Sequence, residues 1–178
     1  MSDTSDATLS YRVEAPIRWL PVAGDFNAAE LEHAAEMNQR VLAQIAQFEE
    51  RGATIDQPTP QDVEIQRLHA KLDLLLSALA ELAPRFLDRP PRKPLRLSWS
   101  GLRWPRDADT AAEGGQGWIE LHLHPIVLQP LRWPARMLAG DATEAEAHFL
   151  STNEAAQLSL ERYVFQQHRR AVAAARRI

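Results

Sequence analysis

Ile65, Leu68, Leu72, Leu75, Leu79, Leu82 and Phe86 recur at alternating spacings of three and four through QDVEIQRLHAKLDLLLSALAELAPRF, residues 61–86. This is an a/d heptad seam over roughly three heptads, the pattern of a helix that lies lengthwise against another helix. Pro84 limits regular helix near the end, which makes Phe86 the weakest member. Leu76 and Ala83 at e and Ala78 at g widen the seam, and Ala70 and Leu74 form a second apolar face nearly opposite. A helix with two apolar faces is covered on two sides. The pattern predicts the preceding helix on one side and a second copy of the chain on the other, with an antiparallel hairpin inside one chain as the alternative. Length favours the second copy. A 25-residue helix is roughly 37 Å long, whereas the rest of this 178-residue chain makes one domain with a radius of gyration of about 13 Å. Leucine at both a and d does not count strands, but apolar e and g positions lean toward four.

The chain ahead of the seam holds one strand and one more helix. YRVEAPIRWL, residues 11–20, reads as a short strand that Pro16 demotes to an edge or broken one. Asn27 followed by Glu30 reads as a capping box and Gly52 as a stop, which predicts a helix from Ala28 to Arg51. Its stripe of Leu31, Ala34, Val41, Ile45 and Phe48 also contains Asn38, and it needs a partner. Beyond the basic, proline-rich connector DRPPRKPLR, residues 88–96, the pattern changes to period two. LRLSWSGLRW, GWIELHLH, PIVLQPLRWPARMLAG and AEAHFLS read as four or more strands, followed by a helix from Asn153 with a basic tail. The expected division is residues 1–24 with the first strand, 25–87 as a helical insertion, and 88–178 as the remaining β structure and last helix.

Composition removes most chemistries. Apolar and charged fractions of 45% and 25% are those of a globular chain. The absence of cysteine excludes disulfides, thiolate metal sites and cysteine nucleophiles. The start MSDTSDATLSYR is no secretory signal, and no stretch is apolar enough to span a membrane, so a cytoplasmic protein without membrane insertion is expected. A net charge of -4 argues against a surface that grips nucleic acid. Of the 20 basic residues 18 are arginine, the side chain suited to phosphate or carboxylate. His122 and His124 alternate along an expected strand and share a face, but no third ligand stands at a recognisable spacing, so no metal site is expected. Ser98 and Ser100 lack a nucleophile-elbow context. GGQG at 114–117 reads as a hairpin turn, and the tail from His168 to Arg177 as a solvated helix end. No acid, base or nucleophile constellation is visible, so no catalytic residue and no enzyme is expected.

Arg96-Leu97-Ser98-Trp99-Ser100-Gly101 resembles the D-x-S-x-x-G segment of PilZ domains, and AHFLSTNEAAQLSLERYVFQQHRR is similar to the end of that family. The resemblance covers residues 11–22 and 95–170. It implies an α+β fold: a six-stranded antiparallel β-barrel interrupted by two long helices, the second a coiled-coil helix, with a C-terminal helix. The helical insertion resembles atypical PilZ proteins whose long helices drive self-assembly, usually as tetramers. The seam Ile65, Leu68, Leu72, Leu75, Leu76, Leu79 and Leu82 would then be the oligomerisation surface.

PilZ domains are receptors for cyclic di-GMP, so the resemblance implies a non-enzymatic signalling protein with a protein partner and no cofactor. In the family an R-x-x-x-R pair ahead of the barrel clamps phosphates, while the Asp and Ser of the second motif address the guanine edge. Here Arg12 and Arg18 are six apart, and Arg96 stands at the Asp position. A guanidinium has no acceptor for guanine donors. A charged hydrogen bond contributes about 1.5 to 3 kcal/mol, so its loss weakens binding about tenfold to a hundredfold. The resemblance therefore implies weak or absent cyclic di-GMP binding around Arg92, Arg96, Ser98 and Gly101. The alternative is a true receptor that uses Arg92 and Arg96, which spell R-x-x-x-R, as a relocated phosphate clamp. Arg132 to Arg136 spells the same string.

Overall fold

A computed structural model describes residues 9–49, 59–82, 88–107, 112–139, 141, 143–150 and 153–176. The chain runs β1 (Ser10–Pro21), α1 (Ala28–Glu49), α2 (Pro60–Leu82), β2 (Arg92–Ser98), β3 (Gly101–Pro105), β4 (Gln116–Leu121), β5 (Leu131–Met137), β6 (Glu144–Phe149) and α3 (Glu154–Ala175). The six strands close into an antiparallel barrel in the order β1-β2-β3-β6-β5-β4. The α+β barrel with two interposed helices and a terminal helix is the expected architecture.

Pro16 does not break or expose the first strand. Ser10–Pro16 pairs with β2, and Ile17–Pro21 pairs with β4, so one continuous strand closes the barrel by changing partners. Proline lacks a ladder donor, and here it sits where the strand leaves one neighbour for the other. Its carbonyl still accepts from His122 N at 3.1 Å. Other expected strand limits also move. The connector is half strand, since β2 begins at Arg92, and residues 125–130 precede β5. Gly114, with φ 78°, turns the chain into β4 beside Met137, whose carbonyl accepts from Gly114 N at 3.0 Å. This is no hairpin turn, because β3 and β4 are not neighbours.

The helices begin where side chains satisfy free N–H groups. Asn27 Oδ1 accepts from Ala29 N at 2.9 Å, and Asn153 Oδ1 from Ala155 N at 2.8 Å. Thr59 and Asp62 form a reciprocal capping box around Pro60, the first helical residue of α2. Those hydrogen bonds hold the Asp62 carboxyl below its usual pKa. The Gly52 stop of α1 lies outside the described residues, as do Ala83, Pro84 and Phe86 beyond α2.

The partner of the α1 stripe is not α2. Ala34, Asn38, Val41 and Ile45 are buried as α1 packs on β5 and α3, and Leu31 and Phe48 are half-buried. Ala35, Val41, Leu42 and Ile45 join Leu160 and Val164 of α3 and the barrel leucines and tryptophans in one core. Asn38, 1% exposed, donates from Nδ2 to Arg132 O and accepts at Oδ1 from Arg132 N, both at 2.8 Å. It ties the helix to the β5 backbone. The terminal helix is bound in as well: Tyr11 donates to Tyr163 at 3.2 Å, and Arg170 and Gln167 reach Glu49 at 2.6 and 2.5 Å. The tail is thus partly a fold contact and not only a solvated end. Burial pushes the Tyr163 hydroxyl up to about 12, and that of Tyr11 higher still.

In contrast, no described residue of α2 is buried. Ile65, Leu68, Leu72, Leu75, Leu79 and Leu82 are 45% to 69% exposed and Leu74 is 71% exposed. The seam lies open along its whole described length. Among the described residues, no helix is long and apolar enough to cross a membrane.

Candidate ligand-binding site

Strand register builds an arginine row that sequence spacing alone does not reveal. Arg12 on β1 lies opposite Arg96 on β2, Arg96 opposite Arg103 on β3, and Arg103 opposite Glu146 on β6. Neighbouring strands are about 4.8 Å apart, so three guanidinium groups share one patch of outer wall. Arg103 forks onto Glu146, with Nε 3.0 Å from Oε2 and Nη2 3.2 Å from Oε1. Arg12 and Arg96 have no ion-pair partner among the described residues. A concavity of about 150 Å³ beside the row is lined by Arg96, Ser98, Gly101, Arg103, Glu146 and His148, among others. All three arginines, with Glu14 and Glu144 among others, line a second concavity of about 530 Å³ on the same wall.

Ser98 and Gly101 come together there, but the hairpin already uses them. Ser98 Oγ donates to Gly101 O at 2.9 Å, accepts from Gly101 N at 3.1 Å, and lies 3.2 Å from Ser100 Oγ. The hydroxyl closes the bend between β2 and β3. Gly101 is required by close approach, since a Cβ at this position would stand 2.2 Å from Ala147 O on β6. The S-x-x-G spacing thus has a structural cause of its own. Arg92 is at the far end of β2, four residues or about 13 Å from Arg96 along the strand. Its Nη2 donates to Glu14 O at 2.8 Å, away from the Ser98 concavity.

The remaining arginines scatter. Arg18 turns to Asp88 at 2.7 Å. Arg132 lies 5.3 Å over the Trp118 ring and 3.3 Å from Glu120, and Arg136 stands opposite Gln116 and His148. The histidines do not share a strand face, because β4 stops at Leu121. His124 stacks on Phe48 with ring centroids 5.5 Å apart, while His122 is placed near Arg89 and Arg18. Burial lowers the pKa of both, and for His122 the two guanidinium groups add to it. Arg103 is a candidate site residue that sequence reasoning missed, and Arg12 one that it considered only with Arg18. Alternation put both on strands, but only the register aligns them with Arg96.

The model of the atypical PilZ domain, a cyclic di-GMP receptor, matches residues 39–177, which takes in part of α1 and everything from α2 to α3. Comparison with curated proteins gives no match. Among solved structures, a pathogenic protein from Xanthomonas campestris superposes with a TM-score of 0.70 at 24% identity, over 94% of this chain and 92% of that one. It is described as a new tetrameric PilZ domain self-assembled via an unusual helical bundle. At this identity the likeness is one of fold. The matched span carries the barrel from β2 onward together with the S-x-x-G hairpin, and on that ground the chain belongs to the atypical PilZ domain family.

Proposed function

We propose that this protein is a non-enzymatic PilZ-type adaptor in bacterial cyclic di-GMP signalling, acting in the cytoplasm and assembled as a tetramer through α2. The observation that carries the reading is the bare seam of α2: a helix with no buried residue and a continuous leucine stripe. In proteins most helical stability comes from packing of an apolar face, and α2 lacks that packing within the described protomer. Burying one leucine side chain contributes about 1.5–3 kcal/mol, so packing against copies of itself supplies the missing stabilisation. The tetrameric, helix-bundled PilZ neighbour supports the same arrangement. The output of such an assembly is contact with a protein partner.

Direct cyclic di-GMP binding is weak in this reading. Arg96 presents donors where an acceptor is needed, between two further arginines, and Ser98 is engaged in its own turn. Calorimetry with cyclic di-GMP tests this. Wild type should bind poorly, and Arg96→Asp should raise affinity at least tenfold. A second reading, a receptor whose phosphates lie on the arginine row, is favoured by the absence, among the described residues, of a carboxylate partner for Arg12 and Arg96. Under it Arg12 would replace Arg92 in the clamp, since Arg92 is remote from Ser98. Micromolar binding by wild type, abolished by Arg96→Ala, would establish this receptor and remove the weak-binding reading.

A further inference from the structure

Where β1 leaves β2 for β4, residues 88–91 border a cavity of about 530 Å³ at the mouth of the barrel. That is a size at which small-molecule sites occur. Its apolar wall includes Ile17, Trp19, Trp104 and Ile119, and three cations line it: Arg18, Arg89 and Lys93. Two of these are paired, Arg18 with Asp88 at 2.7 Å and Lys93 with Asp107. Arg89 is different. Its Nε and Nη2 are shut off from solvent and make no hydrogen bond among the described residues, and Trp19 Nε1 is in the same condition.

Buried donors without acceptors are rare and costly, most of all on a charged group. A guanidinium cannot relieve the cost by losing its proton. What it lacks is an acceptor, and a phosphate supplies several in the fork geometry that arginine matches. The tryptophan walls suit a flat ring on the same molecule. The positive potential reaches inward as well, since Arg89 and Arg18 add to the burial that lowers the His122 pKa.

We infer that the barrel mouth is a binding site for a small aromatic phosphate of the nucleoside monophosphate class, its phosphate on Arg89 between Arg18 and Lys93 and its ring against Trp19 and Trp104. The site is separate from the Arg96 wall, and the inference does not depend on how cyclic di-GMP binds there.

The test titrates the full chain with GMP, guanosine and inorganic phosphate. Calorimetry gives affinities, and the indole N–H resonance of Trp19, assigned with Trp19→Phe, reports the place. GMP should shift that resonance and bind equally to wild type and Arg96→Ala. Phosphate should compete more weakly, and guanosine should not bind. Arg89→Leu should weaken GMP at least tenfold while melting no lower than wild type, because the two buried donors it removes have no hydrogen-bond partner among the described residues. Lys93→Met should weaken it at least threefold. The inference is overturned by GMP that leaves Trp19 unshifted, by unchanged affinity in Arg89→Leu or Lys93→Met, or by equal loss in Arg96→Ala. It is equally overturned by phosphate that binds as tightly as GMP, or by a lower melting temperature in Arg89→Leu, which would make Arg89 structural.

Discussion

Asn38 sits in the apolar stripe of α1, and both ends of its amide are used on the Arg132 backbone. Replacing it by leucine keeps the volume but strands a buried N–H and C=O. Asn38→Leu should therefore cost about 2–4 kcal/mol, read as a lower urea midpoint; an unchanged midpoint would mean that water replaces the amide. The stripe itself showed one polar member, whereas the reason for it lies 94 residues away and cannot be read from spacing. Ser98 teaches the reverse. Its motif was legible, but the hydroxyl closes a turn, and a ligand role requires something more than the spacing. His122 and His124 set a pH dependence. Burial first, joined for His122 by Arg89 and Arg18, depresses both below the ordinary value of 6.5. The unfolded chain then binds more protons below about pH 6.5. Stability is full above that pH and is lost as pH falls through the lowered values. The melting temperature should drop as the pH falls below about 6.5, and less steeply in His122→Gln with His124→Gln. An equal slope in the double variant would place the titration elsewhere.

At the scale of elements, α1 and α2 show what a hydrophobic stripe states and what it withholds. Both helices were legible from period and caps, because these are local properties. The partner of α1 was not, since a stripe of Ala34, Val41 and Ile45 fits a barrel wall as well as a neighbouring helix. The structure gives it to β5 and α3 and leaves α2 without a buried residue among those described. Pro16 was misread for a similar reason: it forbids a ladder donor, and a strand that changes neighbours at that residue meets the restriction without becoming an edge. Because no described residue of α2 is buried, charges in its seam should leave the protomer intact. Leu72→Asp with Leu79→Asp should release monomers or dimers in light scattering while the barrel melts near the wild-type temperature. A double variant of unchanged mass would put the contact between copies elsewhere.

For the whole molecule, β1 and the barrel depend on each other. The family match begins at residue 39, inside α1, yet the sheet closes only through a strand 18 residues upstream of that point, ending at Pro21. Helices inserted after that strand leave the barrel complete and project a bare seam from it. The six-stranded barrel was readable from the resemblance and most of its strands from period-two runs, but the strand order and the row of Arg12, Arg96 and Arg103 were not, because register joins residues that sequence separates. Self-assembly is the claim on which the functional account turns. Sedimentation equilibrium at micromolar concentration, with and without cyclic di-GMP, measures it directly. The account predicts a particle of about four times the 20.1 kDa chain mass, the same with the nucleotide present. A homogeneous, folded particle of 20.1 kDa would contradict it.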